Sequence, residues 1–228
     1  MFFFIFFVNW QFKFPNAITM ADFQQLHDAI LAGNMNSAIA VTKEAVEAGA
    51  EPSELVNNYM IKAMEDIGAK FEAGQAYVPN LLMAARAMKG SLEILRPLMQ
   101  GSGVSSMGKV VIATVKGDLH DIGKNLVASM LEGCGFEVVN LGVDQSDQKI
   151  VDAVNQHHPD ILALSALLTT TMGNMKVVID ALTAAGLRDS VKIMVGGAPI
   201  SEAFAKEIGA DGYSANANEA VALAKSLV

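Results

Sequence analysis

A carboxylate, an imidazole and two glycines share one short segment near the middle of this chain. Asp118 and His120 stand two residues apart, and Gly117 and Gly123 flank them. A neutral imidazole nitrogen is a good transition-metal ligand, and a nearby carboxylate can accept a hydrogen bond from the other ring nitrogen. The spacing Asp-x-His-x-x-Gly therefore indicates a metal-binding histidine beside an orienting carboxylate. On its own the motif is also typical of an exposed loop or a helix cap.

The residues on either side of the motif predict its place in the fold. An apolar, β-branched run at 110–115 precedes it and is typical of a buried parallel strand. The apolar-periodic segment 126–131 follows it and predicts a helix. The motif then occupies a strand-to-helix loop at the carboxyl end of a strand, where open α/β sheets bind their ligands.

The remainder of the C-terminal half repeats this alternation of strand and helix. Strands are predicted at 109–115, 136–140, 160–165, 191–195 and 211–213, with a last helix at 217–227. Five parallel strands with crossover helices predict an α/β fold with a doubly wound, flavodoxin-like or Rossmann-like sheet. The expected strand order is 2-1-3-4-5.

The N-terminal half predicts helices alone. Apolar residues recur at helical spacing in four segments between 21 and 100, the third beginning near Pro52 and the fourth at Pro79. Four helices with short connections predict a bundle. The Gly- and Ser-rich segment 101–108 predicts a flexible linker, which separates a helical domain at 20–100 from an α/β domain at 109–228.

Residues 1–19 differ from the rest of the chain. Residues 1–8 form an unbroken apolar run that is too short to span a membrane and lacks the features of a secretory signal. Met20 resembles a natural start, so we expect residues 1–19 to be a non-native or disordered extension.

Composition limits the partners and the compartment. The net charge of −8 argues against nucleic acid as a partner, because phosphate binding requires clustered Lys and Arg. The single cysteine, Cys134, excludes an intramolecular disulfide and favours a cytoplasmic protein. No membrane partner is expected, because the apolar run at 1–8 is too short to span a bilayer.

Three elements that end successive strands resemble the cobalamin-binding module of the corrinoid proteins. This family includes cobalamin-dependent methionine synthase and the small corrinoid proteins that partner methyltransferases. The matching residues are Asp118, His120 and Gly123; Ser165 and Leu167; and Gly196 and Gly197. The resemblance covers the chain from about residue 21 to the C-terminus. A Gly-x-Gly-x-x-Gly or phosphate-loop motif is absent from this loop, and the acidic pair of response regulators is not found.

The resemblance implies catalytic roles for three residues. His120 would replace the benzimidazole of the cofactor as the cobalt ligand, Asp118 would accept a hydrogen bond from its other ring nitrogen, and Thr171 would extend this relay. The implied cofactor contacts are Asp118, His120, Asp121, Ile122, Gly123, Ser165, Leu167, Thr169, Thr171, Gly196, Gly197, Phe71 and Val78. Phe71 and Val78 match the cap residues that cover the upper, methyl-bearing face of the corrin, with Val where methionine synthase has Leu.

The resemblance further implies a carrier subunit that binds methylcobalamin and cob(I)alamin. A substrate-specific methyltransferase would place a methyl group on cobalt, and a second methyltransferase would pass it to tetrahydrofolate or a thiol coenzyme, with a reductive activator as a further partner. The helical cap would swing away for each transfer. The sequence does not identify the methyl donor or the acceptor. The alternative is a cobalamin-dependent sensor, but such regulators usually add a DNA-binding domain. They also often place a tryptophan in the cap over the upper face of the cofactor, whereas the only tryptophan of this chain, Trp10, lies outside the bundle. A third hypothesis, a subunit of an adenosylcobalamin-dependent mutase, has less support, because those subunits generally lack the helical cap.

Overall fold

The computed structural model describes residues 20–99 and 107–228. The predicted extension at 1–19 and most of the predicted linker at 101–108 lie outside the described residues. The N-terminal part is helical, and strands and helices alternate from residue 109 onward. In chain order the elements are α1 Met20–Leu31, α2 Met35–Glu47, α3 Pro52–Leu55, a π-helix Val56–Met60, α4 Ile61–Glu72, α5 Val78–Met99, β1 Lys109–Thr114, α6 Ile122–Gly133, β2 Glu137–Asn140, α7 Asp147–His157, β3 Ile161–Ser165, α8 Gly173–Ala184, a 3₁₀-helix Arg188–Ser190, β4 Lys192–Gly196, α9 Glu202–Ile208, β5 Gly212–Ser214 and α10 Ala217–Leu227.

The third helix of the bundle contains a π-helical turn that the sequence did not predict. α3, the π-helix and α4 follow one another without a break, so that they form one helical rod. Val56 and Met60, at the two ends of the π-helix, are both buried. A single wider turn barely changes the apolar spacing over five residues, so periodicity alone cannot distinguish it from α-helix.

The five-stranded parallel sheet confirms the predicted α/β fold. Its strand order is β2-β1-β3-β4-β5, as the crossover pattern predicted. Each strand begins and ends within one residue of its predicted bounds. β1 lies between β2 and β3, and β3 pairs with β4. The order places the ends of β1, β3 and β4 side by side at one edge of the sheet.

The core has two parts because side chains alternate across a strand. On β1, Val110 and Ile112 face one side, where α6, α10 and the helical bundle contribute to one continuous cluster. Val111 and Ala113 face the other side, which α7, α8 and α9 cover. The bundle therefore packs on the outside of the sheet domain and shares its core. Within the described part of the chain, no helix has both the length and the apolarity that crossing a bilayer requires.

Candidate functional site

The three sequence elements meet at the carboxyl edge of the sheet. Thr114 at the end of β1 pairs in register with Ser165 at the end of β3. Ser165 in turn pairs with Gly196 at the end of β4. The loops that follow these strands are therefore neighbours, and the loop after β1 carries Asp118 and His120.

Asp118 is completely buried and accepts hydrogen bonds on both carboxylate oxygens. Oδ2 accepts from the backbone N–H of Leu167 at 2.7 Å, the backbone N–H of Leu168 at 3.3 Å and the hydroxyl of Thr171 at 2.7 Å. Oδ1 accepts from the backbone N–H of His120 at 3.1 Å and lies 2.7 Å from His120 Nδ1. The β1 loop and the β3–α8 loop are thus joined through one carboxylate.

These contacts decide the charge of Asp118. Burial raises the pKa of the Asp118 carboxyl, but hydrogen bonds from Thr171, from the Leu167 N–H and from His120 outweigh burial and hold that pKa well below its usual value. An ionised carboxylate can only accept hydrogen bonds, so Nδ1 of a neutral His120 must carry the proton. The lone pair of that imidazole is then on Nε2.

The His120 side chain is 49% exposed, and Nε2 has no hydrogen-bond partner among the described residues. Exposed apolar side chains lie in the same two loops and at the start of α6: Leu119 is 72% exposed, Leu167 42% and Ile122 86%. An available imidazole nitrogen among exposed apolar side chains is suited to a metal held in a large, partly apolar group. The described residues contain no cluster of three or more His, Cys, Asp or Glu that could hold a metal ion.

The glycines of the motifs differ in what they contact. A Cβ on Gly123 would meet no protein atom within 4 Å, so this position is open to an approaching ligand. Gly197 has a φ of +132°, and a Cβ there would lie 1.8 Å from the carbonyl oxygen of Ala166. A Cβ on Gly196 would lie 3.3 Å from the carbonyl oxygen of Ser214. Close strand packing is therefore a reason for Gly197 that is independent of any cofactor.

The other predicted residues lie around this centre or in the bundle. Ser165 is half-buried at the end of β3, and Thr169 is exposed in the loop that follows. The Asp121 carboxylate accepts a hydrogen bond from Asn125 at 2.9 Å. Phe71 packs against the bundle core, and Val78 begins α5 with 38% of its surface exposed. The place of Phe71 and Val78 over the cofactor stays a prediction.

Two polar residues that the sequence did not single out hold the His120 loop in place. The Thr114 hydroxyl donates to the carbonyl of His120 at 3.0 Å. The Asn174 side chain donates to the carbonyl of Lys116 at 2.9 Å. Thr114 is a polar residue at the end of an apolar strand, so the sequence contains a local signal that could have identified it. The bond from Asn174 spans 58 residues and leaves no local trace in the sequence.

Lys124, the residue after Gly123, is a buried lysine whose partners are polar side chains of the protein itself. It is only 4% exposed, and its ammonium group donates to the side-chain oxygens of Asn125 at 3.0 Å and Asn140 at 2.6 Å. Burial lowers the pKa of Lys124, and the nearby charge of Asp121 opposes that effect. Lys124 therefore connects the start of α6 to the end of β2.

Comparison with known proteins identifies the two parts of the chain. A family model described as B12 binding domain matches residues 108–222, and a second model with the same description matches residues 22–96. The chain is 42% identical to the dimethylamine corrinoid protein of Methanosarcina barkeri over 90% of this chain and 96% of that protein. It is 44% identical to trimethylamine corrinoid protein 2 of Methanosarcina mazei over 83% of this chain and 88% of that protein.

Solved structures of similar proteins have the same architecture. A cobalamin-binding protein from Desulfitobacterium hafniense is 32% identical and superposes with a TM-score of 0.77 over 90% of this chain and 98% of its own. A chain of the methanol:cobalamin methyltransferase complex from Methanosarcina barkeri is 29% identical, with a TM-score of 0.78 over 94% of this chain and 81% of its own. With both B12 binding domains matched and these relatives similar over nearly their full lengths, the chain belongs to the B12-binding corrinoid proteins.

Proposed function

We propose that this protein is a methyl carrier that binds cobalamin with His120 as the lower axial ligand of cobalt. The observation that carries this proposal is the Asp118–His120 pair, in which a buried carboxylate lies 2.7 Å from Nδ1 and no described residue binds Nε2. A base-off cofactor, with its own benzimidazole displaced, needs such a nitrogen donor. The open space at Gly123 and the exposed Leu119, Ile122 and Leu167 fit a bulky group above this donor.

Each residue of the site has its own role in this proposal. Bound cobalamin supplies a cobalt atom that can accept and release a methyl group. His120 offers the Nε2 lone pair, while Asp118 keeps the proton on Nδ1 and so fixes the tautomer. Thr171 and the two backbone N–H groups of the β3–α8 loop keep Asp118 ionised. When Nε2 is not a ligand it can take up a proton, and Asp118 then stabilises the imidazolium.

Methylamines are the proposed class of methyl donor. The relatives that support this choice are named dimethylamine and trimethylamine corrinoid proteins. A corrinoid chain pairs with a methyltransferase in the methanol:cobalamin methyltransferase complex, which supports a substrate-specific methyltransferase as the first partner here. We further propose a second methyltransferase, with tetrahydrofolate or a thiol as the methyl acceptor, and a reductive activator for oxidised cobalt.

The helical bundle is the proposed cap of the site. In this proposal residues 20–100 cover the methyl-bearing face of the cofactor through Phe71 and Val78, and the segment 101–108 is the hinge. The cap would have to move for each methyltransferase to reach cobalt. Polar contacts between the bundle and the α/β part, such as Lys89–Glu132 at 2.8 Å, are partly exposed and individually weak, so the shared apolar core would set most of the cost of this movement.

Visible absorption and electron paramagnetic resonance spectra test the axial ligand directly. The wild-type protein and the His120→Ala variant are each reconstituted with cobalamin and desalted. His157→Ala, at the C-terminal end of α7, is the matched control. We expect a bound, base-off cofactor whose cobalt(II) spectrum has nitrogen hyperfine structure that responds to isotopic labelling of histidine. The splitting should vanish in His120→Ala alone. Failure of the wild-type protein to retain cobalamin, or an unchanged spectrum in His120→Ala, would refute this assignment.

A separate assay tests the carrier role. The cobalt(I) form is mixed with dimethylamine and a dimethylamine-specific methyltransferase, and formation of methyl-cobalt is followed by absorbance. Methylation that requires both additions supports the proposed donor class. Methylation with methanol and its methyltransferase, but not with methylamines, would assign the chain to another donor.

A further inference from the structure

Asp144, in the loop between β2 and α7, has an unusual backbone conformation beside the candidate site. Its φ is +53°, and the only other non-glycine residue with a positive φ in the described chain is His158, which ends α7. A positive φ is uncommon for residues other than glycine, and Asp is one of the few residue types that tolerate it. Strained residues of this kind cluster at functional sites. Asp144 is not among the residues that the cobalamin resemblance implicates.

Asp144 makes two hydrogen bonds to consecutive residues of the His120 loop. Its carboxylate Oδ1 accepts from the backbone N–H of Gly117 at 2.7 Å. Its own backbone N–H donates to the carbonyl of Asp118 at 3.0 Å. One residue therefore holds both ends of the 117–118 dipeptide, and Gly117 is itself left-handed, with a φ of +80°.

These bonds complete the fixation of Asp118. The carboxylate of Asp118 is held from the β3 side by Thr171 and two backbone N–H groups. The backbone of Asp118 is held from the β2 side by Asp144. Since His120 Nδ1 bonds to that same carboxylate, a rotation of the 117–118 peptide would move the imidazole.

We infer that Asp144 is a positioning residue for His120, acting through the backbone of Gly117 and Asp118. The inference rests on the proposed function, because it assumes that His120 is the cobalt ligand. Two properties of Asp144 are required together: a side-chain acceptor for the Gly117 N–H and tolerance of a positive φ. Asn has both properties, Gly has only the second, and Ala has neither.

The test compares Asp144→Asn, Asp144→Gly and Asp144→Ala with the wild-type chain. In the apoprotein, amide hydrogen exchange of Gly117 and the nitrogen chemical shifts of the His120 ring report the loop without any cofactor. In the reconstituted protein, titration with cobalamin and the nitrogen hyperfine structure of cobalt(II) report ligation. Circular dichroism checks that each variant is folded.

We expect Asp144→Asn to match the wild type in every measurement. In Asp144→Gly, Gly117 should exchange about tenfold faster or more, and cobalamin should bind about tenfold more weakly, the equivalent of ~1.4 kcal/mol. Asp144→Ala should be impaired further because it adds backbone strain; if it fails to fold, the comparison of Asn with Gly is sufficient.

Two results overturn the inference. One is an Asp144→Gly variant with wild-type Gly117 exchange and wild-type cobalamin affinity. The other is an Asp144→Asn variant as impaired as Asp144→Gly, which would mean that the acceptor and the backbone conformation are not what matter. Failure of the proposed function would give a different result, because the wild-type protein would then bind no cobalamin. In that case the Gly117 and His120 resonances of the apoprotein would still report whether Asp144 holds the loop.

Discussion

Replacing Thr171 with Val isolates one of the hydrogen bonds that keep Asp118 ionised. The Thr171 hydroxyl donates to Asp118 Oδ2 at 2.7 Å, and both residues are buried. Val has nearly the same shape as Thr, so the substitution removes a donor without leaving a cavity. The backbone N–H groups of Leu167 and Leu168 still bond to the same oxygen.

The expected loss of stability follows from the charge of the acceptor. A hydrogen bond to a charged group contributes about 1.5–3 kcal/mol. Because two other donors remain on Oδ2, we expect Thr171→Val to lower the free energy of unfolding of the apoprotein at neutral pH by about 1.5–2 kcal/mol. For a urea dependence of about 2 kcal/mol per molar, the unfolding midpoint would fall by about 1 M.

The effect should depend on pH in a defined direction. The pKa of Asp118 is depressed in the folded protein, so its stabilising contribution is present above the unfolded-state pKa of about 3.9 and is lost as the pH falls toward the folded-state value. The removed bond contributes to that depression. The unfolded-state pKa is the same for the wild-type chain and Thr171→Val, so their difference in stability should persist down to about pH 3. It should shrink only at lower pH, where the folded-state carboxylates take up protons.

Urea unfolding of the apoprotein at neutral pH and at about pH 3 measures both effects. Thr171→Ser is the matched control, since it keeps the hydroxyl and loses one methyl group. We expect its smaller loss of stability to be the same at the two pH values. Equal losses for the Val and Ser variants at neutral pH, or a Val loss that has already vanished at about pH 3, would refute the assigned role of the hydroxyl.

Three further predictions concern packing. Gly197→Ala should destabilise the protein by more than about 3 kcal/mol in urea unfolding, because its Cβ would overlap the Ala166 carbonyl, whereas Gly123→Ala, with open space around it, should change stability by less than about 1 kcal/mol. Burial raises the pKa of the Cys134 thiol to about 11, so alkylation at pH about 8 should occur only on unfolding, and labelling at the rate of a free thiol would contradict this burial. Ser91 Oγ is buried without a hydrogen-bond partner among the described residues. Ser91→Ala should therefore raise the free energy of unfolding by about 1 kcal/mol. A lower melting temperature of the variant would instead indicate that Ser91 has a partner.

The sheet could be predicted from sequence because its information is local. Each strand of a buried parallel sheet is a short, continuous apolar run, and each is followed by a polar or glycine-rich loop. β1 and β3 are entirely of this kind, and their predicted bounds differ from the observed ones by one residue. The same locality applies to Asp118 and His120, which are close in sequence as well as in space.

Contacts between distant segments could not be predicted in this way. The His27 side chain is 12% exposed, and its ring nitrogens lie 2.9 Å from carboxylates of Asp28 and Asp66. Asp28 is adjacent in sequence, whereas Asp66 comes from a different helix. The two bonds of Asp144 to the His120 loop and the bond from buried Lys124 to Asn140 are hidden for the same reason, since each joins segments that only the folded sheet brings together.

The burial of Asp118 is better explained by orientation than by stability. A fully buried carboxylate has a large desolvation penalty, and an apolar residue at the same position would avoid it. The chain instead surrounds this carboxylate with donors from the β3–α8 loop, and directs its remaining oxygen at an imidazole that is half exposed. Such an arrangement stabilises one tautomer and one direction of His120 more than it stabilises the fold. It therefore supports a role in which the direction of His120 Nε2 matters, as axial ligation of cobalt requires.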